Sequence, residues 1–150
     1  MKRFIPLLLV ALAALRIAPA QPLDSLCTKT EHRIAMRDGV RLHTTVYAPR
    51  SAEPAPILIR TPYGCAPYGP GRFPSSLEEG YLRTYLDRGY ILVLQDVRGR
   101  YMSEGEFVNV RPAAGKGAVD ETTDSYDTVE WLTTTAAWAL PAAPIRASTH

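Results

Sequence analysis

Gly89-Tyr-Ile-Leu-Val-Leu-Gln-Asp-Val-Arg-Gly-Arg-Tyr-Met-Ser-Glu-Gly-Glu-Phe107 is the stretch that decides the fold. Ile91 to Leu94 form an unbroken apolar run and Gln95-Asp-Val-Arg-Gly99 follows at once, as in a strand buried on both faces that empties into a polar loop. Upstream, Pro56-Ile-Leu-Ile-Arg60 ends the same way, in Thr61-Pro-Tyr-Gly64. Between the two, Leu77 to Arg88 places Leu77, Tyr81, Leu82, Tyr85 and Leu86 at helical spacing, with Ser75 or Ser76 as cap and Gly89 as stop. Strand, helix and strand make a βαβ unit of a parallel sheet with a right-handed crossover. In such α/β sheets chemistry collects where the strands release into loops.

Working outward, Arg37-Asp-Gly-Val40 separates Glu31–Met36 from Arg41–Tyr47, and Asp-Gly between alternating segments predicts an antiparallel hairpin. Leu42, Thr44 and Val46 then share one face, while His43, Thr45 and Tyr47 share the other, with His43 a half-exposed strand residue rather than a catalyst. The prolines of 49–56 confine the next strand to begin near Ile57. Ala66-Pro-Tyr-Gly-Pro-Gly-Arg-Phe-Pro74 cannot be regular structure, and a loop of that length inside a domain is often functional. After Phe107 the chain loosens through Asn109–Gly117. Asp120 to Leu132 then predicts a helix with Tyr126, Val129 and Leu132 on its core stripe and Trp131 covering the core. Asp120, Glu121 and Asp124 crowd its first turns, where the helix dipole favours them; they read as helix-end electrostatics, not as a catalytic carboxylate cluster.

At 150 residues the chain is the size of one domain with one core. Residues 1–20 have the form of a signal peptide: basic Lys2-Arg3, apolar Phe4–Leu15 and an Ala18-Pro-Ala20 cleavage site, which predicts export to the periplasm or the extracellular space. The apolar run falls short of the roughly 20 residues of a membrane span, so no membrane association is expected after cleavage. Three of the 17 basic residues, Lys2, Arg3 and Arg16, lie in that segment, leaving 14 against 15 acidic ones and no footprint for nucleic acid. Cys27 and Cys65 would meet a compartment that permits disulfides, and their spacing leaves pairing open. With His32, His43 and His150 they make no metal-ligand spacing, so neither a metal nor a cofactor is called for, and nothing speaks to oligomeric state.

Six landmarks recur in a fixed order: Arg37-Asp-Gly-Val-Arg-Leu42, Ile59-Arg-Thr-Pro-Tyr63, Gly89-Tyr90, Gln95-Asp-Val-Arg-Gly-Arg100, Ser103-Glu-Gly-Glu-Phe107 and Tyr126-Asp-Thr-Val-Glu-Trp-Leu132. In that order and spacing, the segment Glu31–Leu132 resembles the serine hydrolases related to X-Pro dipeptidyl-peptidase, cocaine esterase and the α-amino-acid ester hydrolases (the CocE/NonD group). The resemblance implies the N-terminal part of an α/β-hydrolase fold, an antiparallel hairpin leading into a parallel sheet with crossover helices. It also implies a small ester, amide or peptide as substrate. By the same resemblance Tyr63 lends its hydroxyl to the oxyanion hole, a role that suits a donor at a strand end stiffened by Pro62. Asp96 and Arg98 read as structural groups near the site, pinning the loop through charge-assisted hydrogen bonds to backbone. Ser103 lacks the Gly-x-Ser-x-Gly elbow of a nucleophile.

That elbow is where the chain departs from the family, which continues past Trp131-Leu132 into a short strand and Gly-x-Ser-Tyr-x-Gly. Here the continuation is Thr133-Thr-Thr-Ala-Ala-Trp-Ala-Leu-Pro-Ala-Ala-Pro-Ile-Arg-Ala-Ser-Thr-His150. Regrouping its codons one base upstream permits Asn-Asn-Gly-Arg-Val-Gly and then Gly-x-Ser-Tyr-Pro-Gly, with Ser arising at Pro144. A frameshift, natural or from sequencing, is therefore expected in 133–150, the nucleophile, acid and base are expected to be absent from this chain, and the chain as given is expected to be inactive. The competing reading is a non-catalytic exported α/β binding module.

Overall fold

The computed structural model describes residues 22–50, 55–109 and 118–135. The segment read as a signal peptide and the tail from residue 136 onward lie outside the described residues. After a short turn of helix, α1 (Leu23–Leu26), come β1 (Cys27–Ala35), β2 (Arg41–Pro49), β3 (Pro56–Thr61), α2 (Ser75–Glu78), α3 (Tyr81–Asp87), β4 (Ile91–Asp96) and α4 (Glu121–Thr134). The strands form one mixed sheet in the order β1-β2-β4-β3. β1 and β2 pair antiparallel from Cys27 opposite Pro49 to Ala35 opposite Arg41, and β2 pairs antiparallel with β4. β3 runs parallel to β4 from Pro56 beside Ile91 to Thr61 beside Asp96, so the expected hairpin does lead into a parallel α/β pair.

The hairpin closes where Asp-Gly predicts it. Met36 N–H donates to Val40 O at 2.8 Å and Gly39 N–H to Met36 O at 2.8 Å, with Gly39 at φ +85°, a conformation that costs other residues a clash at Cβ. β4 is buried along its whole length. On one face of the sheet Tyr47, Leu92 and Leu94 pack with Leu77, Leu82 and Leu86 of α2 and α3. On the other, Val46, Ala48, Ile91 and Val93 pack with Leu132 of α4, and Trp131 covers both this cluster and Ile34, Met36 and Leu42, as expected.

Three local readings need correction. His43 is not half-exposed: it retains 4% of its surface, and β2 is buried from Leu42 to Pro49. Alternation assumed one solvated face, but the 65–74 loop folds over it, placing the Tyr68 ring edge-on to His43 at 5.0 Å and Phe73 against Tyr47 at 6.0 Å. The single helix Leu77–Arg88 is two helices broken at Gly80, whose backbone is extended (φ −92°, ψ 178°), and neither Ser75 nor Ser76 supplies a capping side chain. The break shifts the helical phase, so Leu77, Leu82 and Leu86 are buried while Tyr81 and Tyr85 are exposed. In α4 the buried stripe is Asp124, Thr128 and Leu132, and Tyr126 and Val129 face solvent. Asp120 is its cap: the Oδ1 atom accepts the Thr122 and Thr123 N–H groups at 2.9 Å and Thr123 Oγ1 accepts the Asp120 N–H.

Cys27 and Cys65 are free, buried thiols of one apolar cluster. Burial pushes the Cys27 thiol up to about 11 and that of Cys65 higher still, so neither is a thiolate nucleophile near neutral pH.

A Cβ built on Gly80 would lie 2.3 Å from the carbonyl oxygen of Ser76. Gly80→Ala must therefore push the α2–α3 corner apart and is expected to lower unfolding free energy by about 1–3 kcal/mol. Urea titration reads this as a lower midpoint at unchanged slope; an unchanged midpoint would show that the corner relaxes freely.

Candidate active site

The loops that follow β3 and β4 are held together by one buried carboxylate. Asp96 closes β4; its Oδ1 accepts the Cys65 N–H at 2.7 Å, and its Oδ2 accepts the Tyr68 hydroxyl at 3.0 Å and the Met102 N–H at 3.3 Å. Two of these donors lie on the loop after β3 and one on the loop after β4. Ser103 Oγ donates to Asp96 O at 2.7 Å and accepts the His43 N–H at 2.8 Å, so its hydroxyl is committed to tying β2 to the β4 loop. The His43 ring meets Thr45 Oγ1 at 3.3 Å, and burial lowers its pKa, which leaves a neutral imidazole at physiological pH. Among the described residues no serine hydroxyl is hydrogen-bonded to a histidine ring.

A residue that the sequence did not single out fixes the far side of the β3 loop. Lys29 of β1 extends its ammonium under that loop, donating to the carbonyls of Pro67 at 2.6 Å, Gly69 at 2.8 Å and Arg72 at 3.0 Å. Glu31 pairs with it at 2.9 Å and accepts the Gly69 N–H at 2.7 Å. A lysine two residues before a glutamate on a strand looks like a solvated ion pair, and nothing local announces the three carbonyls it meets.

Arg98 does something other than brace backbone. Its Nε and Nη2 donate to the two carboxylate oxygens of Asp124 at 3.0 and 2.6 Å, and its Nη1 and Nη2 donate to those of Asp38 at 2.8 and 3.2 Å. Its hydrogen bonds to Asp124 and then to Asp38 raise its pKa well above the ordinary arginine value, against the effect of burial. Beside it Arg60 donates to Gln95 Oε1 at 2.7 Å, to Ser125 Oγ at 3.0 Å and to the Glu121 carboxylate at 2.6 Å. Gln95 Nε2 donates to Thr44 and Thr128 at 2.9 Å each. The inward face of α4 is polar because it supplies these partners. A third arginine, the exposed Arg37, joins the hairpin turn to Asp127 of α4 at 2.7 Å.

Tyr63 stands at the mouth of this frame. It follows β3 directly, its N–H donating to Thr61 Oγ1 at 3.1 Å, and its side chain is 83% exposed. Gly64, at φ +93°, lies under the Tyr101 ring, three atoms of which would come within 3.2 Å of a Cβ there. Arg100 Nε donates to Pro62 O at 3.2 Å. A phenol hydroxyl presented from a rigid strand end can donate a hydrogen bond to an oxygen of a bound molecule. Of the residues named from sequence, Tyr63, Asp96 and Arg98 thus collect where β3 and β4 end: Tyr63 exposed, Asp96 fastening the loops and Arg98 fastening the hairpin and α4.

Comparison with known proteins agrees with this architecture. The family model for X-Pro dipeptidyl-peptidase (S15 family) matches residues 38–140, which carries into the segment 133–150. Cocaine esterase of Rhodococcus sp. (strain MB1 Bresler) is 36% identical over 100 residues, which are 66% of this chain and 15% of the esterase. A solved α-amino acid ester hydrolase superposes with a TM-score of 0.62 at 35% identity, over 82% of this chain and 22% of its own. An aminopeptidase from the marine sediment archaeon Thaumarchaeota archaeon gives 0.59 at 33% identity, over 88% of this chain and 21% of its own. The chain thus spans less than a quarter of the length of each of these relatives.

Arg98→Met leaves the buried Asp124 without its bidentate partner, and a loss of about 3–5 kcal/mol is expected from urea denaturation. Adding Asp124→Leu should recover much of it, and a double variant as weak as the single one would show that shape rather than charge pairing is at stake. Acid should also weaken the fold. Hydrogen bonds from Arg37 hold the Asp127 carboxyl below its ordinary 3.8, so its stabilising contribution is complete above that value and is lost as pH falls through the lower folded one. Urea midpoints of the wild type and Asp127→Asn should therefore differ at pH 6 and converge towards pH 2; a gap that stays constant contradicts this.

Proposed function

Because the chain belongs to the X-Pro dipeptidyl-peptidase (S15) family, we propose that it supplies the oxyanion-binding side of a serine-hydrolase site acting on ester or amide bonds, of dipeptidyl-peptidase or acyl-esterase type. The observation that carries this reading is the exposed Tyr63 hydroxyl at the end of β3, on a turn fixed by Thr61, Gly64 and Arg100. In acyl transfer a serine Oγ adds to the substrate carbonyl carbon and the π pair moves onto oxygen. A donor that already points at that oxygen strengthens as its charge grows, and so lowers the barrier without tightening ground-state binding. The attacking serine, the histidine that takes its proton and the aspartate that orients the histidine come from outside the described residues. Small esters, amides or peptides suit a donor set at an open loop rim, and the similarity to an esterase, an ester hydrolase and an aminopeptidase supports that class.

Export through residues 1–20 belongs to the same proposal, on the strength of their basic, apolar and Ala-x-Ala pattern. So does a one-base frame change within 133–150, ahead of the catalytic serine, which would leave the chain as given inactive. DNA sequence around codons 132–145 tests it: a single-base correction should open a long frame containing Gly-x-Ser-Tyr-Pro-Gly, and if none does, the frame change is wrong. In the protein read through that frame, Tyr63→Phe should lower kcat on p-nitrophenyl acetate by about 10²–10³-fold with little change in KM. Equal turnover by the two would remove Tyr63 from the oxyanion hole.

A further inference from the structure

The loop after β4 doubles back on itself. Arg100 N–H donates to Val97 O at 3.1 Å, Ser103 N–H to Arg100 O at 2.9 Å and Gly99 N–H to Glu104 O at 2.9 Å. Gly99, at φ +69°, passes so near the returning chain that a Cβ would lie 2.1 Å from the Phe107 nitrogen. That closure brings the Phe107 ring under the Arg100 guanidinium, 4.7 Å from its centre, with the Tyr101 ring at 5.6 Å. Both distances lie within cation–π range, so the guanidinium is held by its faces while its Nε is directed at Pro62 O.

From this geometry we infer that Arg100 is the positioning residue of Tyr63, fixing through the Pro62 carbonyl the peptide plane that carries the tyrosine. The inference rests on the oxyanion reading of Tyr63 and deepens it. A peptide unit is planar, so anchoring the Pro62 oxygen also anchors the Tyr63 nitrogen and Cα. The Pro62 ring sets its own φ, Thr61 Oγ1 holds the Tyr63 N–H, and Tyr101 closes over Gly64, so the turn is restrained on both sides of Tyr63. With the ring itself 83% exposed, packing does not hold it, and this backbone fixes the point from which the hydroxyl is presented. An oxyanion donor has to be placed to within about half an ångström, which a loose turn cannot do. Because the hydrogen bond matters most in the transition state, loosening the turn should reduce kcat and spare KM.

Nitrogen-15 relaxation on the 150-residue chain tests the anchor without relying on catalysis. The Tyr63 N–H order parameter should sit near the rigid value of about 0.85 in the wild type and fall below about 0.6 in Arg100→Met, with Val93 of β4 unchanged. Arg100→Lys, which keeps a cation in reach of Pro62 O, should restore part of the order. A Tyr63 order parameter that is the same in the wild type and Arg100→Met overturns the inference. If the methionine variant does not fold, Arg100→Gln and Arg100→Lys decide it by the same readout. In a form that turns over p-nitrophenyl acetate, Arg100→Met should lower kcat about 10–100-fold at constant KM, and should add nothing to Tyr63→Phe. An undiminished loss in the Tyr63→Phe background also overturns it. Absence of turnover from every form would instead sink the oxyanion reading, while the relaxation result still settles whether Arg100 holds Tyr63.

Discussion

The guanidinium of Arg98, closed between the carboxylates of Asp38 and Asp124, joins three pieces of chain: the hairpin turn, the end of β4 and the start of α4. Withdrawing such charges from water is costly, and a well-packed apolar trio in their place could be as stable or more so. What the ionic arrangement adds is direction. A planar fork with its donors satisfied in pairs accepts its partners in one orientation, so α4 cannot slide or rotate on the sheet as a purely apolar helix could. Gln95, Thr44, Thr128 and Arg60 extend the same logic along the helix with hydrogen bonds of 2.7–2.9 Å. Both faces of the sheet bury apolar side chains, and the face under α4 adds the polar contacts that set alignment. The strand ends on which Tyr63 stands are set by both.

The loops at those strand ends are fastened to one another rather than to the body of the protein alone. Asp96 fastens them from below through three donors, and Arg100 from the side through the Pro62 carbonyl. Groups that look catalytic by charge thus do mechanical work, while the Tyr63 side chain is left open to solvent. A carboxylate or guanidinium whose hydrogen-bonding capacity is already taken up internally has little left for substrate.

What was legible in the sequence follows from how far apart the interacting residues lie. β4 was legible because burial on both faces writes itself as an unbroken run, Ile91 to Leu94, and the hairpin because Asp38-Gly39 is a local signal. His43 was misjudged because its cover, Tyr68, arrives from a loop with no periodicity. The α2–α3 break was missed because a glycine inside a helical pattern is ordinarily tolerated, and only the approach to Ser76 shows that Gly80 ends one helix and opens another. The inward face of α4 was misread because periodicity counts apolar residues, whereas Asp124 and Thr128 are buried by partners 26 and 33 positions away. At the candidate site, motif order brought Tyr63, Asp96 and Arg98 to attention, but the part played by Arg100 depends on Pro62, 38 residues upstream. Lys29 is the extreme case, since its three carbonyls lie 38–43 residues on.

Lys29 resembles, in miniature, a cation in an ionophore. Carbonyl oxygens of an otherwise irregular loop converge on a single positive centre, and the loop takes its shape by winding around it. Here the ion is tethered, being the end of a side chain rooted in β1 with 1% of its surface exposed. A free ion in that position would exchange with the medium, and the loop would soften or tighten with the salt around it. A tethered, buried one is little screened. The wall that frames Tyr63 therefore keeps one contour as the ionic strength around it changes.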